Sequence, residues 1–141
     1  MSENTTTTTR SDRDSDGTIG GYISAAVALV GAWILISAFL YSPPAANFWN
    51  DVIVGSAIGI IAGYNALRTD DYEEINTGAA SLVALLGLWM VVAPFIFEVF
   101  TDGAFWSDVI SGAVVAVLAG YNAYQARSTE RRTRTAEAEP R

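Results

Sequence analysis

Four stretches of this 141-residue chain contain no aspartate, glutamate, lysine or arginine, and each approaches the length of a membrane-spanning helix. A helix needs about 20 mainly apolar residues to cross a hydrocarbon core of roughly 30 Å. The charge-free stretches lie between Asp16 and Asp51, Asp51 and Arg68, Glu74 and Glu98, and Asp108 and Arg127. The sequence therefore predicts four transmembrane helices, at about 19–41, 48–67, 77–99 and 105–126.

A soluble four-helix bundle is the alternative, and the polarity of the stretches argues against it. The helices of such a bundle carry a polar stripe on the face turned to water. Residues 22–41 have only Ser24 and Ser37 as strongly polar side chains, and residues 78–97 have only Ser81. The chain is 51% hydrophobic and only 16% charged, with a mean hydropathy of +0.29. We therefore expect lipid to surround these helices.

The first stretch is expected to remain in the protein rather than to be a cleaved signal peptide. A signal peptide has a basic start and an apolar run of about 7–15 residues. Here a polar, acid-containing segment precedes a much longer run, and Gly31 and Trp33 of that run have counterparts in Gly87 and Trp89. Cleavage after the run would remove half of a repeated unit.

The repeat links each pair of helices into one unit. FWNDVIVGSAIGIIAGYNA at residues 48–66 returns 57 positions later as FWSDVISGAVVAVLAGYNA at residues 105–123. The upstream counterparts, such as Trp33 and Trp89, are 56 positions apart, so the units are 19–68 and 77–126. Two units that each cross the membrane twice are related by a pseudo-twofold axis along the membrane normal. The predicted fold is an all-α polytopic membrane four-helix bundle built from two tandem helical hairpins.

Small residues recur every four positions in the second helix of each unit. A stripe of small residues lets two helix backbones approach closely, which is the main way helices associate in lipid. We therefore predict helix-packing seams at Gly55, Gly59, Gly63, Gly112, Ala116 and Gly120.

An aromatic pair and an aspartate precede each seam. The pairs Phe48-Trp49 and Phe105-Trp106 are predicted to anchor the helices in the headgroup region, where amphipathic rings are favoured. Asn50 and Ser107 are residue types that cap helix N-termini, and next to them Asp51 and Asp108 would complement the helix dipole. The competing interpretation is that the two aspartates form a symmetric cation or proton site.

The arginines predict the orientation of the chain. All eight lie before the first helix, between the second and third, or after the fourth, and the other two loops have none. By the positive-inside rule both termini are cytoplasmic, in a multi-pass protein of the plasma membrane, with a cytoplasmic acidic loop at 69–76. The polar tails at 1–18 and 127–141 are predicted to be disordered. Near this side, Tyr64-Asn65 and Tyr121-Asn122 are expected to hydrogen-bond across helices or to headgroups.

Each unit also has a tryptophan followed by a short triplet late in its first helix. Trp33 precedes Ser37-Ala38-Phe39, and Trp89 precedes Ala93-Pro94-Phe95. Two helices per unit with such a triplet resemble the SPW-repeat integral membrane proteins, although neither triplet is Ser-Pro-Trp. The resemblance implies a fold and a membrane location but no activity. The lack of lysine and the excess of 15 acidic over 8 basic residues are similar to salt-adapted archaeal proteomes.

Composition also restricts the function. There is no cysteine or histidine, so thiol nucleophiles, imidazole bases and the common zinc ligands are missing. We expect no enzyme activity, no cofactor and no metal, and a net charge of −7 disfavours nucleic acid as a partner. The favoured function is a noncatalytic membrane interaction module, in contact with the lipid bilayer and with a second copy or another membrane protein. The alternative is a component of a small-solute or ion transporter or channel.

Overall fold

The structure is a computed structural model that describes residues 2–70, 75–99 and 101–138. The described residues form four helices: α1 (Ser2–Tyr41), α2 (Ala45–Asp70), α3 (Thr77–Ile96) and α4 (Asp102–Ala138). Each contains a segment long and apolar enough to cross a membrane, at Thr18–Tyr41, Ala45–Arg68, Thr77–Ile96 and Asp102–Arg132. The predicted all-α fold of four membrane helices is confirmed.

The helices pack as two hairpins that stand side by side. α1 packs along α2 and α3 packs along α4, while smaller contacts of α1 with α4 and of α2 with α3 join the hairpins. α2 and α4 therefore lie diagonally across the bundle. We call the end with the connectors α1–α2 and α3–α4 the loop end, and the opposite end the tail end.

Both hairpins close over glycine. A Cβ atom added to Gly31 of α1 would lie 2.5 Å from the backbone nitrogen of Gly59, and one added to Gly87 of α3 would lie 2.5 Å from that of Ala116. Cβ atoms added to Gly55 and Gly112 would likewise lie 2.8 Å from a backbone atom of the opposing helix. The predicted seams are thus used inside each hairpin, where they face a glycine of the preceding helix.

The seams stop short of the tail end. A Cβ atom on Gly63 would make one ordinary contact, at 3.9 Å from Ala28 Cβ, and one on Gly120 would have nothing within 4 Å. The last glycine of each predicted seam therefore takes no part in closing its hairpin.

Apolar side chains fill the centre of the bundle and also cover its outside. Ile34, Ile58, Met90 and Val115 are completely buried, and they are two pairs of repeat counterparts. Large apolar residues such as Leu29, Ile60 and Leu85 are more than half exposed on the outer faces. Such outward faces suit a lipid environment, because they would be costly in water.

Three helix boundaries at the loop end differ from those that the sequence predicts. α2 and α4 begin three residues before the predicted starts at 48 and 105, since the carbonyls of Pro44 and Thr101 already accept bonds from the backbones of Phe48 and Phe105, both at 2.9 Å. α3 ends at Ile96 rather than at 99. Pro94 lies inside its last turn and its carbonyl accepts a bond from Val99 N at 3.1 Å, which closes the helix.

The tails also differ from the prediction of disorder. α1 begins at Ser2 and α4 continues to Ala138, so helical backbone extends through most of 1–18 and 127–141. Extending a helix that already exists avoids the cost of a new nucleus. In α4, Thr129 and Thr135 hydroxyls also donate to the carbonyls of Gln125 and Arg131, at 3.1 and 2.8 Å. The predicted acidic loop at 69–76 falls partly outside the described residues.

Candidate functional site

Six of the eight buried polar side chains of the described residues lie in two layers inside the bundle, and the other two are Ser37 and Ser111. Asn47, Asp51 and Asp108 form the layer near the loop end, which we call the carboxylate cluster. Ser24, Asn65 and Asn122 form the layer near the tail end, which we call the amide cluster. Asp51 and Asn65 are 14 residues apart on α2, or about 21 Å along the helix.

The carboxylate cluster brings the two repeated aspartates together across the diagonal of the bundle. The Nδ2 atom of Asn47 donates to Asp51 Oδ2 at 3.0 Å and to Asp108 Oδ2 at 3.1 Å. Both aspartates are only 2% exposed and Asn47 is completely buried. Asp51 accepts a further bond from Asn50 Nδ2 at 3.2 Å. One amide therefore bridges a buried carboxylate on α2 and another on α4.

This geometry corrects the predicted capping role of the aspartates. The helices begin at Ala45 and Asp102, so Asn50 and Ser107 lie inside helices, and Asp51 and Asp108 follow them. A cap accepts bonds from the free N–H groups of the first turn, and these residues lie beyond that turn. Their side chains instead point to the centre of the bundle. The prediction failed because it placed the helix starts three residues too late.

The cluster is also where the two repeats differ. The counterpart of Asn47, 57 positions later, is Ala104, which is buried as well. One unit thus supplies an amide to the centre and the other supplies only a methyl group. Two like aspartates share a single amide donor, and its Oδ1 atom is buried without a hydrogen-bond partner in the described residues.

Tryptophans join the hairpins beside the carboxylate cluster. Trp33 Nε1 donates to Ser107 Oγ at 3.1 Å, and its counterpart Trp89 donates to Asn50 Oδ1 at 2.8 Å. Because Ser107 and Asn50 are also counterparts, the two bonds are related by the pseudo-twofold axis. The parallel symmetry predicted from the repeat is therefore visible in side-chain contacts.

The triplets hold each hairpin together at the loop end. Their first two residues, Ser37-Ala38 and Ala93-Pro94, are buried, and their aromatic third residue packs on the next helix. Phe39 meets Phe48 edge to face at 5.1 Å between centroids, and Phe95 meets Phe105 at the same distance. Each phenylalanine of the predicted anchor pairs in turn contacts its own tryptophan, Trp49 or Trp106, at 5.6 Å. The anchoring role of these pairs in headgroups stays a prediction.

The amide cluster connects the hairpins at the tail end. Asn122 Nδ2 donates to the Gly20 carbonyl at 3.2 Å and to Ser24 Oγ at 3.1 Å, which confirms the predicted bonding across helices for this residue. Four pairs of repeat counterparts line the small cavity here: Ser24 and Ala80, Val27 and Val83, Ala62 and Ala119, and Asn65 and Asn122. The cavity therefore lies on the pseudo-twofold axis. Its volume of about 10 Å³ is near the least that holds one water molecule.

Apolar side chains separate the two polar layers. Ile58 is seven residues from both Asp51 and Asn65, and it is completely buried together with Ile34, Met90 and Val115. We call these four residues the apolar plug. The hydrogen bonds that Asn47 donates to the two aspartates and those that Asn122 donates at the tail end have no residue in common. The axis is consequently polar near both ends and closed in the middle.

Sequence reasoning overlooked Asn47 and the facing glycines. Asn47 lies just before the stretch that the two repeats share. The one sign in the sequence that Asn47 differs from its surroundings is that its counterpart is Ala104. Gly31 and Gly87 stood out only as markers of the repeat, although each is spaced to meet a seam on the next helix.

The comparisons with known proteins agree with this architecture. The family model described as SPW repeat domain matches residues 22–122, which run from the early part of the apolar segment of α1 to Asn122 of the amide cluster. No curated protein and no solved structure matches the chain.

Proposed function

The chain belongs to the SPW repeat domain family, and from its glycine-closed hairpins and its open groove we propose that it is a noncatalytic multi-pass membrane module that associates with a second copy of itself. Such a module needs a rigid membrane-embedded core and an outer surface on which another helix can pack closely. The glycine-closed hairpins supply the core. The tail end of the α4 seam, where nothing in the described part of the chain packs against Gly120, supplies the surface.

The groove beside Gly120 is the observation that supports self-association best. It has a volume of about 210 Å³ and is lined by Ser81, Gly120, Ala123, Tyr124 and Arg127. Gly120 and Ala123 leave the backbone of α4 open, and helices in lipid associate where small residues allow backbones to approach. A second copy can present the same groove, because a twofold contact uses one surface twice.

The composition and the closed axis support the noncatalytic part of the proposal. The sequence has no cysteine or histidine to act as nucleophile or base. Asp51 and Asp108 are buried, and the axial cavity on the other side of the apolar plug is too small for a substrate.

Transport is the alternative function, and the carboxylate cluster is the observation in its favour. Ionisable residues inside membrane helices often mark ion or proton pathways. Asp51 and Asp108 lie within segments long enough to span the membrane and share the axis with the amide cluster. The apolar plug between the layers counts against a continuous pathway, and for this reason we favour the module.

We further propose that the tail end is cytoplasmic and that the membrane is the plasma membrane. Seven of the eight arginines lie in helical segments toward the tail end, and the eighth, Arg141, follows α4 in the sequence. This asymmetry supports the orientation through the positive-inside rule.

Cysteine crosslinking in membranes tests the self-association. The chain has no native cysteine, so Gly120→Cys introduces a single thiol in the groove. We expect oxidation to yield a covalent dimer. Ile60→Cys is the matched control, because Ile60 is exposed to 72% and lies on α2, diagonally across from α4. Equal dimer yields from the two variants, or none from Gly120→Cys, would contradict the proposal.

A further inference from the structure

We propose that α4 binds the headgroup of an anionic phospholipid on a face formed by Arg127, Arg131 and Arg134, which we call the arginine face. This face continues past the groove at Gly120 toward the end of α4, so lipid binding there does not depend on the proposed self-association. The alignment of the arginines, their depth in the membrane and a difference between the two repeats support the site.

The three arginines lie on one side of α4. They are four and three residues apart, so their side chains leave the helix in nearly the same direction, and all three are exposed. Residues 127–134 contain four arginines and one acid, Glu130. The carboxylate of Glu130 already accepts a hydrogen bond from Thr77 Oγ1 of α3 at 3.0 Å. This stretch is therefore locally cationic in a chain whose net charge is −7.

The bond between Thr77 and Glu130 also gives the depth of the arginine face. Thr77 is the first residue of the spanning segment of α3, so Glu130 lies level with the start of that segment. Arg127 is three residues before Glu130, about 4.5 Å toward the membrane centre, and Arg131 is one residue after it. Arginine side chains at such a depth extend toward the lipid headgroups. Further in, Val117 is exposed to 70% and offers an apolar surface to acyl chains, which favours a phospholipid over a soluble phosphate.

Two hydroxyl groups accompany the first arginine of the face. Ser81 of α3 and Tyr124 of α4 line the same groove as Arg127. A guanidinium binds two phosphate oxygens at once, and serine and tyrosine hydroxyls can each donate one further bond. A lipid phosphate thus finds one charged and two neutral donors between α3 and α4. Basic pockets between membrane helices bind lipid headgroups in this way.

The first repeat lacks these groups. The units match through Ala66 and Ala123 and then diverge in charge. The counterparts are acidic or apolar: Asp70 for Arg127, Glu74 for Arg131, Leu67 for Tyr124 and Ala25 for Ser81. The positive-inside rule accounts for arginines on this side of the membrane, but it requires neither their alignment nor hydroxyls beside them. We therefore assign one lipid site to the second hairpin.

Native mass spectrometry of the full-length protein tests the site, because it counts the lipids that stay bound. The protein is released from a neutral detergent with equal amounts of phosphatidylglycerol and phosphatidylcholine, which share a phosphate but differ in net charge. We expect phosphatidylglycerol adducts to predominate and to decrease when the ionic strength is raised. Monomer and dimer differ in mass, so the lipid count is read on the monomer whether or not the chain self-associates.

Variants locate the bound lipid. Arg127→Gln and Arg131→Gln should each weaken phosphatidylglycerol binding by about fivefold, because each removes one positive charge at the membrane surface. Arg132→Gln is the matched control, since Arg132 is also exposed and carries the same charge on the same helix. It is five residues from Arg127 and so lies about 140° around α4. We expect Arg132→Gln to bind phosphatidylglycerol as the wild type does.

Three results would overturn the proposed lipid site. One is equal retention of the two lipids by the wild type, and another is a loss in Arg132→Gln as large as in Arg127→Gln, which would reflect net charge alone. The third is displacement of the lipid by soluble glycerol phosphate at the same concentration, which would assign the face to a phosphate in solution. The exposed arginines should leave the melting temperature without lipid unchanged. If a variant melts earlier, the comparison of the two lipids on the wild type still decides the question.

Discussion

At the scale of single residues, the two connectors share an unusual backbone feature. Ser42 and Glu98 are the non-glycine residues with positive φ, at 46° and 52°, among the described residues, and they are repeat counterparts 56 positions apart. Each follows the first helix of its hairpin. A left-handed residue is a common way to end a helix, but glycine usually fills that position because a Cβ atom is crowded there.

Replacing Glu98 with glycine should stabilise the protein. Glu98→Gly removes the crowded Cβ while Val99 N still bonds to the Pro94 carbonyl, so we expect a gain of about 0.5–1 kcal/mol in the free energy of unfolding. Thermal unfolding followed by tryptophan fluorescence measures it. Glu98→Ala is the control, because it removes the same charge but keeps the Cβ atom; an equal gain in both variants would attribute the effect to charge.

At the scale of helices, the hairpins depend on glycines that face each other. Gly87→Ala should lower the free energy of unfolding by about 1–3 kcal/mol, because its Cβ would lie 2.5 Å from Ala116 N and 2.9 Å from the Gly112 carbonyl. Those are backbone atoms, so α3 and α4 would have to move apart. Gly31→Ala should act in the same way between α1 and α2.

Gly63→Ala provides the control for both glycine variants. It makes the same chemical change on a helix, but the added methyl group would make one ordinary contact, at 3.9 Å from Ala28 Cβ. We expect stability to be unchanged or slightly raised, since alanine favours helix more than glycine. Loss of stability in Gly63→Ala as large as in Gly87→Ala would show that the seam is not what closes the hairpin.

The helices also show how much of the fold could be predicted from the sequence. The charge-free stretches and the repeat predicted four helices, two hairpins and their symmetry, because these depend on length and periodicity alone. The ends of α2 and α4 were misplaced by three residues, which turned Asp51 and Asp108 from buried central groups into supposed caps. Which helix face turns inward depends on packing between helices that are far apart in sequence, and Asn47 carries no pattern that reveals it.

At the scale of the whole molecule, the central claim is that two like hairpins stand in parallel and meet along one axis. The paired tryptophan bonds, the paired aromatic contacts and the cavity lined by four counterpart pairs all follow from that arrangement. The buried carboxylates and amides then mark the two ends of the axis. The apolar residues turned outward leave the bundle suited to lipid.

Labelling of single cysteines from the two sides of a membrane tests this claim most directly. Ser42→Cys and Thr101→Cys lie in the two connectors of the loop end, and Thr135→Cys lies in α4 after its membrane-spanning segment, which ends at Arg132. In sealed vesicles of one orientation, an impermeant maleimide should label the first two from the same side and the third from the other side only. Labelling of Ser42→Cys and Thr101→Cys from opposite sides would contradict the parallel arrangement of the hairpins.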